Sequence, residues 1–187
     1  MITTEDGALA ARLRSLQQHG VAAAGGGAFE VHEVPGFNHR LSDLHAALGR
    51  PQLARLPAIL ARRRAIAQRL GDALADNPVL AAAVEPPGVS WNWQSYPARL
   101  RERAGIGQAE AMRRLEASGV ACRRGVTNAH QEPAYGDRRL WGEGAGGLGV
   151  SERLRDTTIL LPIFNAMTDG EVERVVAALA ALPGGPA

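Results

Sequence analysis

Helical and strand periodicities occupy different parts of this chain, and that separation constrains its architecture more than any other feature. From residue 8 to about 75 the apolar residues recur at helical spacing. Leu9, Leu13 and Leu16 mark a helix over 8–18, with Asp6 or Thr4 as its cap and Gly20 as its stop. Ser42 caps a second segment carrying Leu44, Ala47 and Leu48. Arg50-Pro51 opens a long stretch to about Ala75, with Leu53, Leu56, Leu60, Ala67, Leu70 and Leu74 on one stripe. Pro57 lies inside that stretch, and a proline there predicts a kink or a restart. The intervening 21–36 segment, with Gly25-Gly26-Gly27 and a closing Pro35-Gly36, reads as a loop. A glycine cluster cradles phosphate only where a strand meets a helix N-terminus. Here Phe29, Val31 and Val34 follow with strand-like spacing instead.

Strand signals gather in the second part. Composition changes at Asn77-Pro78 and again at Pro86-Pro87. Trp91 to Leu100 then reads as a strand with aromatics at 91, 93 and 96. Residues 107–118 form a helix with Met112 and Leu115 inward and Gly119 as its stop. Val120 to Arg124 is a short strand, 125–150 is irregular, and Ser151 begins a short helix. Ile159 to Ile163 is an apolar strand, and Thr168 with Glu171 forms a capping box before Val172, Val175, Val176 and Leu179. The second part is therefore a small α+β domain. The first part has helices and no evident sheet to pack them on, as expected of a chain lacking an N-terminal half.

Composition excludes several kinds of chemistry. All 21 basic residues are arginine. Without a lysine, this chain has no side-chain amine for a Schiff base and no phosphate loop of the Gly-Lys-Ser/Thr type. The net charge is +2 and the arginines are interleaved with 19 acids, so no nucleic-acid partner is expected. One cysteine, Cys122, makes no internal disulfide, and no Cys/His spacing suggests a metal site. There is no signal-peptide pattern at Met1-Ile2-Thr3-Thr4 and no apolar run of the roughly 18–20 residues that span a membrane, so the cytoplasm is the expected location. Arg62-Arg63-Arg64 reads as a solvated helix face rather than an anion site. Trp91, Trp93 and Trp141 read as core aromatics rather than stacking platforms, and Tyr135 as packing. His19, His32, His39 and His45 show no ligand-like spacing.

Four segments together carry a family resemblance. The first runs from Met1-Ile2-Thr3-Thr4 through Leu9-Ala10-Ala11-Arg12-Leu13-Arg14 to His19-Gly20. The second is Gly36-Phe37-Asn38-His39-Arg40-Leu41-Ser42, followed by Ala46-Ala47-Leu48-Gly49 and Gln52-Leu53. The third is Asn128-Ala129-His130 before Glu132-Pro133-Ala134-Tyr135, a His-x-x-Pro-Ala-Tyr pattern. The fourth is Leu161-Pro162-Ile163-Phe164 with Thr168 and Glu171-Val172-Glu173-Arg174-Val175-Val176. In order and spacing these resemble the DegT/DnrJ/StrS family of pyridoxal-phosphate-dependent sugar aminotransferases.

The resemblance implies an α/β chain, part of a fold-type-I transferase. Residues 1–50 would be the helical end of the large cofactor domain, 51–76 a connecting helix and 77–187 the small C-terminal α+β domain. It implies a homodimeric transferase that moves an amino group from glutamate or glutamine to a keto-sugar carried on a nucleotide, in amino-sugar biosynthesis. The family's cofactor lysine and the acid that pairs with the pyridine nitrogen precede the segment that opens this chain. The chain is therefore expected to contain no catalytic residue, to retain no cofactor and to be inactive alone, as a truncated gene, a mis-called start or a split gene would produce. By resemblance, Asn38 reaches the cofactor phosphate of a neighbouring subunit, and Arg40, two residues on, can serve the same anion. Read from its residues alone, Asn38 shapes the turn before Ser42 rather than binding an anion. His130 is the candidate substrate-binding residue, against a solvent-exposed or turn-stabilising role. The alternatives are a non-catalytic dimerisation or interaction module, and one half of a split aminotransferase.

Overall fold

The computed structural model describes residues 2–21, 31–135 and 148–182. Gly25-Gly26-Gly27, Phe29, Trp141 and the glycines at 142, 144, 146 and 147 lie outside the described residues. The chain divides into two compact units, Met1–Arg55 and Leu56–Ala187.

In the first unit, helix α1 spans Gly7–Gln17. Asp6 Oδ1 accepts from the Ala8 and Leu9 amides at 2.9 and 3.0 Å, filling the donors that a helix start leaves unpaired. Thr4 plays a supporting part: its Oγ1 accepts from the Asp6 amide at 3.1 Å. At the other end Gly20, at φ +78°, donates from its amide to Ser15 O at 2.8 Å and turns the chain out of the helix. No residue of α1 is buried. Val31 and Val34 are exposed and belong to no strand among the described residues; between them lies an isolated bridge from His32 to Val21.

Helix α2 runs unbroken from Asp43 to Leu74. The restart expected at Pro57 does not occur. A proline removes one amide and leaves the carbonyl four residues back without a helical partner. For Pro51 and Pro57 those carbonyls belong to Ala47 and Leu53, both exposed, so water can replace the lost donors. The expected apolar stripe holds only over the second half of the helix. Ala67, Leu70 and Leu74 are buried together with Ile66, whereas Leu53 and Leu56 are exposed.

The second unit is built on a four-stranded antiparallel sheet of β1 (Leu80–Ala82), β2 (Tyr96–Leu100), β3 (Arg123–Arg124) and β4 (Thr158–Leu161), in the order β1-β2-β4-β3. Ala98 pairs with both Ala82 and Ile159 across the centre. Helices α3 (Gln108–Ala117), α4 (Gly149–Thr157) and α5 (Asp169–Ala180) complete it. The core joins Ile66, Leu70 and Leu74 of α2 to Leu80, Tyr96, Ile159 and Leu161 of the sheet, Leu115 of α3, and Val172 and Leu179 of α5. Each such side chain contributes about 1.5–3 kcal/mol on burial. The capping box is present: Thr168 Oγ1 accepts from the Glu171 amide at 3.3 Å, and Glu171 Oε2 accepts from the Thr168 amide at 2.7 Å.

Three strands are shorter than their residue patterns suggest, β4 stopping at Leu161 rather than Ile163, and one was not foreseen. Residues 91–95 are not strand, because Trp93 has φ +49°, which breaks the pleat. Of Val120–Arg124 only Arg123 and Arg124 pair. β1 is held by Asn77, whose Oδ1 accepts from the Val79 and Leu80 amides at 3.0 and 2.8 Å, while its Nδ2 donates to Leu179 O at 2.8 Å.

The arginine triplet is not one solvated face: Arg62 and Arg63 are half-buried and Arg64 is exposed. Successive helical residues point about 100° apart, and each arginine ties down a different segment. Arg62 donates to Met167 O and to Asp169 at 2.6 and 2.8 Å, Arg63 to Trp93 O at 2.7 Å, and Arg64 to Ser90 Oγ at 3.1 Å. Among the described residues, no helix is long and apolar enough to cross a membrane.

Candidate functional site

The Asn38 loop is built by the end of α1. Phe37 donates from its amide to Leu16 O at 2.8 Å, His39 to Gln17 O at 3.0 Å, and His19 to Phe37 O at 3.0 Å. Asn38 thereby forms an antiparallel bridge with Gln18. The pairing needs glycine at two places. A Cβ on Gly36 would collide with the backbone of His19 and Gly20, and one on Gly20 would collide with Val34 O. This backbone zipper, and not a turn made by the Asn38 side chain, sets where Asn38 stands.

Asn38 and Arg40 are both exposed. They bind each other: Arg40 Nε donates to Asn38 Oδ1 at 3.0 Å. That bond identifies the oxygen end of the amide and leaves Nδ2 as a donor with no partner among the described residues. Phe37 and His39 stack at 5.1 Å on either side of Asn38 in sequence. Immediately beyond, Ser42 Oγ accepts from the His45 amide at 3.3 Å and starts α2.

His130 lies in the second unit, on a 3-10 turn over Ala129–Gln131. It is not solvent-exposed: its side chain is 14% accessible, and Nε2 is hydrogen-bonded to Glu152 Oε1 at 3.1 Å. The neighbouring Asn128 is buried, accepting from Ser151 Oγ at 2.6 Å and donating to Gln131 Oε1 at 2.9 Å. The turn is thus tied to α4 at two points. Glu152 was missed in the sequence because it lies 22 residues away across an irregular stretch. Tyr135 closes a second 3-10 turn, Pro133–Tyr135, and is about half exposed, at 48%.

Tyr96, Trp93 and Cys122 pack in or against the core of the second unit. Tyr96 is buried with Trp93 stacked on it at 5.3 Å, and Trp91 meets Trp93 edge-on at 5.1 Å. Burial, with Glu116 adding, pushes the Cys122 thiol up, which disfavours its reactive thiolate. Among the described residues, no group of three His, Cys, Asp or Glu could hold a metal ion.

The residues present fit one end of pyridoxal phosphate and not the other. The exposed amide and guanidinium of Asn38 and Arg40 suit a phosphate. The aldehyde end needs an amine, and the sequence has no lysine.

The model of the DegT/DnrJ/EryC1/StrS aminotransferase family matches residues 1–180. Among solved structures, the chain is similar to DesV of S. venezuelae in complex with a ketimine intermediate, at 27% identity and TM-score 0.80. That match covers 96% of this chain and 45% of DesV. It is similar to the aminotransferase TlmJ of Streptoalloteichus hindustanus at 28% identity and TM-score 0.76, over 95% of this chain and 45% of TlmJ. DesI, crystallised in the presence of its TDP-sugar product, matches at 28% identity and TM-score 0.76, over 96% of this chain and 44% of DesI. The chain thus spans somewhat less than half the length of these enzymes.

Proposed function

The chain belongs to the DegT/DnrJ/EryC1/StrS aminotransferase family, and from that premise we propose that it serves in a pyridoxal-phosphate-dependent transfer of an amino group to a nucleotide-linked keto-sugar. The carrying observation is the Asn38 loop, where an oriented amide and a guanidinium stand exposed together. When bound, the cofactor supplies the carbonyl that takes up the amino group and a ring that delocalises charge. This chain's part is to hold the phosphate. Asn38 Nδ2 donates to a phosphate oxygen of the cofactor in a neighbouring subunit, and Arg40 adds charge and keeps the amide turned. His130, braced by Glu152, presents its ring to the sugar-nucleotide.

Glutamate or glutamine is the amino donor in this reading, and the assembly is a homodimer in the cytoplasm. Residues 1–50 belong with the large domain, 51–76 connect, and 77–187 form the small domain. DesI with its TDP-sugar product supports a nucleotide-linked substrate. Lacking a lysine, the chain by itself does not turn over and retains no covalently held cofactor. A second reading is favoured by that same absence: an interaction module that keeps the family's surfaces without its chemistry. A split enzyme, completed by a lysine-bearing chain, is consistent with the first reading.

The test is to assay amino transfer to a TDP-linked keto-sugar with the chain alone and with the chain joined to a lysine-bearing half from a family enzyme. Turnover only in the joined form is expected. Turnover by the chain alone overturns the division of labour, and none in either form favours the interaction module.

A further inference from the structure

The second unit carries a hollow of about 390 Å³ whose lining includes Arg64, Gln68, Gly71, Glu85, Trp93 and Tyr96. Its distinguishing feature is the tyrosine. Tyr96 is 1% exposed, yet its hydroxyl has no hydrogen-bond partner among the described residues. The hydroxyl oxygen is not sealed from solvent, so water can pair with it in the free protein. Gly71 on α2 leaves room above it: a Cβ there would lie 3.6 Å from the hydroxyl oxygen. Around it stand donors and acceptors that are only partly used. Arg64 spends one nitrogen on Ser90. Glu85 Oε1 accepts from the Trp91 amide at 2.5 Å, and Gln68 Nε2 donates to Asp72 at 2.8 Å.

We propose that this hollow is a binding site for a neutral polyhydroxylated ligand of the sugar class, with the Tyr96 hydroxyl as its innermost partner. Three features set the chemistry. The lining holds one cation, Arg64, and one anion, Glu85, so it offers no net attraction for phosphate or carboxylate. Asp72, close enough to act on Tyr96, weighs further against an anion. The Tyr96 hydroxyl is pushed up to about 12 by burial and by Asp72, and so stays protonated. The wall is Trp93, held out of ordinary backbone geometry at φ +49° with its carbonyl bound by Arg63. Strain of that kind persists only where surrounding contacts impose it, and it recurs at ligand clamps. The proposal does not rest on the aminotransferase reading, since all its residues lie in the second unit and the probe needs no cofactor.

The test is titration of the full chain with free glucose, followed by the Gly71 amide and the Trp93 indole resonances. Saturable shifts of both are expected at millimolar concentrations, up to about 100 mM. Tyr96→Phe should weaken binding by about three- to tenfold, the loss of one neutral hydrogen bond. It should leave the unfolding midpoint unchanged, because no internal bond is lost. Gly71→Ala, which favours the helix, should also weaken binding, because its methyl would take up space beside the hydroxyl that a ligand would fill. The proposal fails if glucose produces no saturable shift. It fails if inorganic phosphate or glutamate shifts these resonances and glucose does not. It fails equally if Tyr96→Phe binds glucose as tightly as the parent, or if Tyr96→Phe lowers the midpoint, which would assign the hydroxyl an internal partner.

Discussion

Arg40 Nε donates to Asn38 Oδ1 at 3.0 Å, so the amide is oriented before any ligand arrives. Removing Arg40 therefore removes both a charge and a fixed donor direction. In an enzyme reconstructed with a lysine-bearing half, Arg40→Ala should weaken pyridoxal phosphate retention about tenfold at low salt. The deficit should shrink toward 1 M salt, where screening acts within about 3 Å. Equilibrium dialysis at two ionic strengths measures this. An equal deficit at both would assign Arg40 an uncharged role.

Gly36 touches the backbone of His19 and Gly20 so closely that no Cβ fits. Gly36→Ala should open the zipper and release the amides of Phe37 and His39 from Leu16 O and Gln17 O. Hydrogen exchange at those two amides should accelerate by at least about tenfold, as expected when local opening replaces a stable bond. The second unit should keep its protection. Unchanged exchange at Phe37 would mean that the loop is held by something else.

Acid should loosen the second unit through Asp169 and Glu171. Hydrogen bonding and charge from Arg62, with Arg69 adding, hold Asp169 below its ordinary value, and the Thr168 amide and hydroxyl do the same for Glu171. A carboxylate whose folded value is depressed adds stability that is complete above its unfolded value and is lost as pH falls through the folded one. Stability should thus be level above about pH 5 and fall below about pH 4. Asp169→Asn should flatten that decline, read as urea midpoint against pH. A decline of the same steepness in the variant would place the acid sensitivity elsewhere.

How far the sequence could be read depended on the range of the interactions. Asp6, Gly20, Ser42 and the Thr168/Glu171 box act over three to five residues, so their residue types show in a short window. The core half of α2 was visible because Ala67, Leu70 and Leu74 repeat at helical period and meet a sheet. Its exposed half carries leucines at the same kind of spacing, and period alone does not tell a buried face from an open one. The two prolines also misled, because water can take the place of a missing donor on an exposed helix.

The site divided in the same way. Asn38, Arg40 and His130 were found through resemblance, since each sits in a short motif. Their partners came from the fold. The Gln18 bridge spans 20 residues and the Glu152 contact spans 22, and neither leaves a local pattern. Trp93 was taken for strand because aromatic spacing is a strand signal, and only the backbone shows the left-handed turn that breaks it. The arginine triplet looked like one basic face, but a helix spreads adjacent residues around its axis.

The central claim is that Asn38 holds a cofactor phosphate belonging to a neighbouring subunit. Its most direct test is the dissociation constant of pyridoxal phosphate in the reconstructed enzyme, parent against Asn38→Ala, with the unfolding midpoint as a control. The loss of a hydrogen bond to a charged group predicts a weakening of about 1–3 kcal/mol, roughly ten- to hundredfold, at an unchanged midpoint. An unchanged dissociation constant would contradict the claim and leave Asn38 as a partner of Arg40 within the loop.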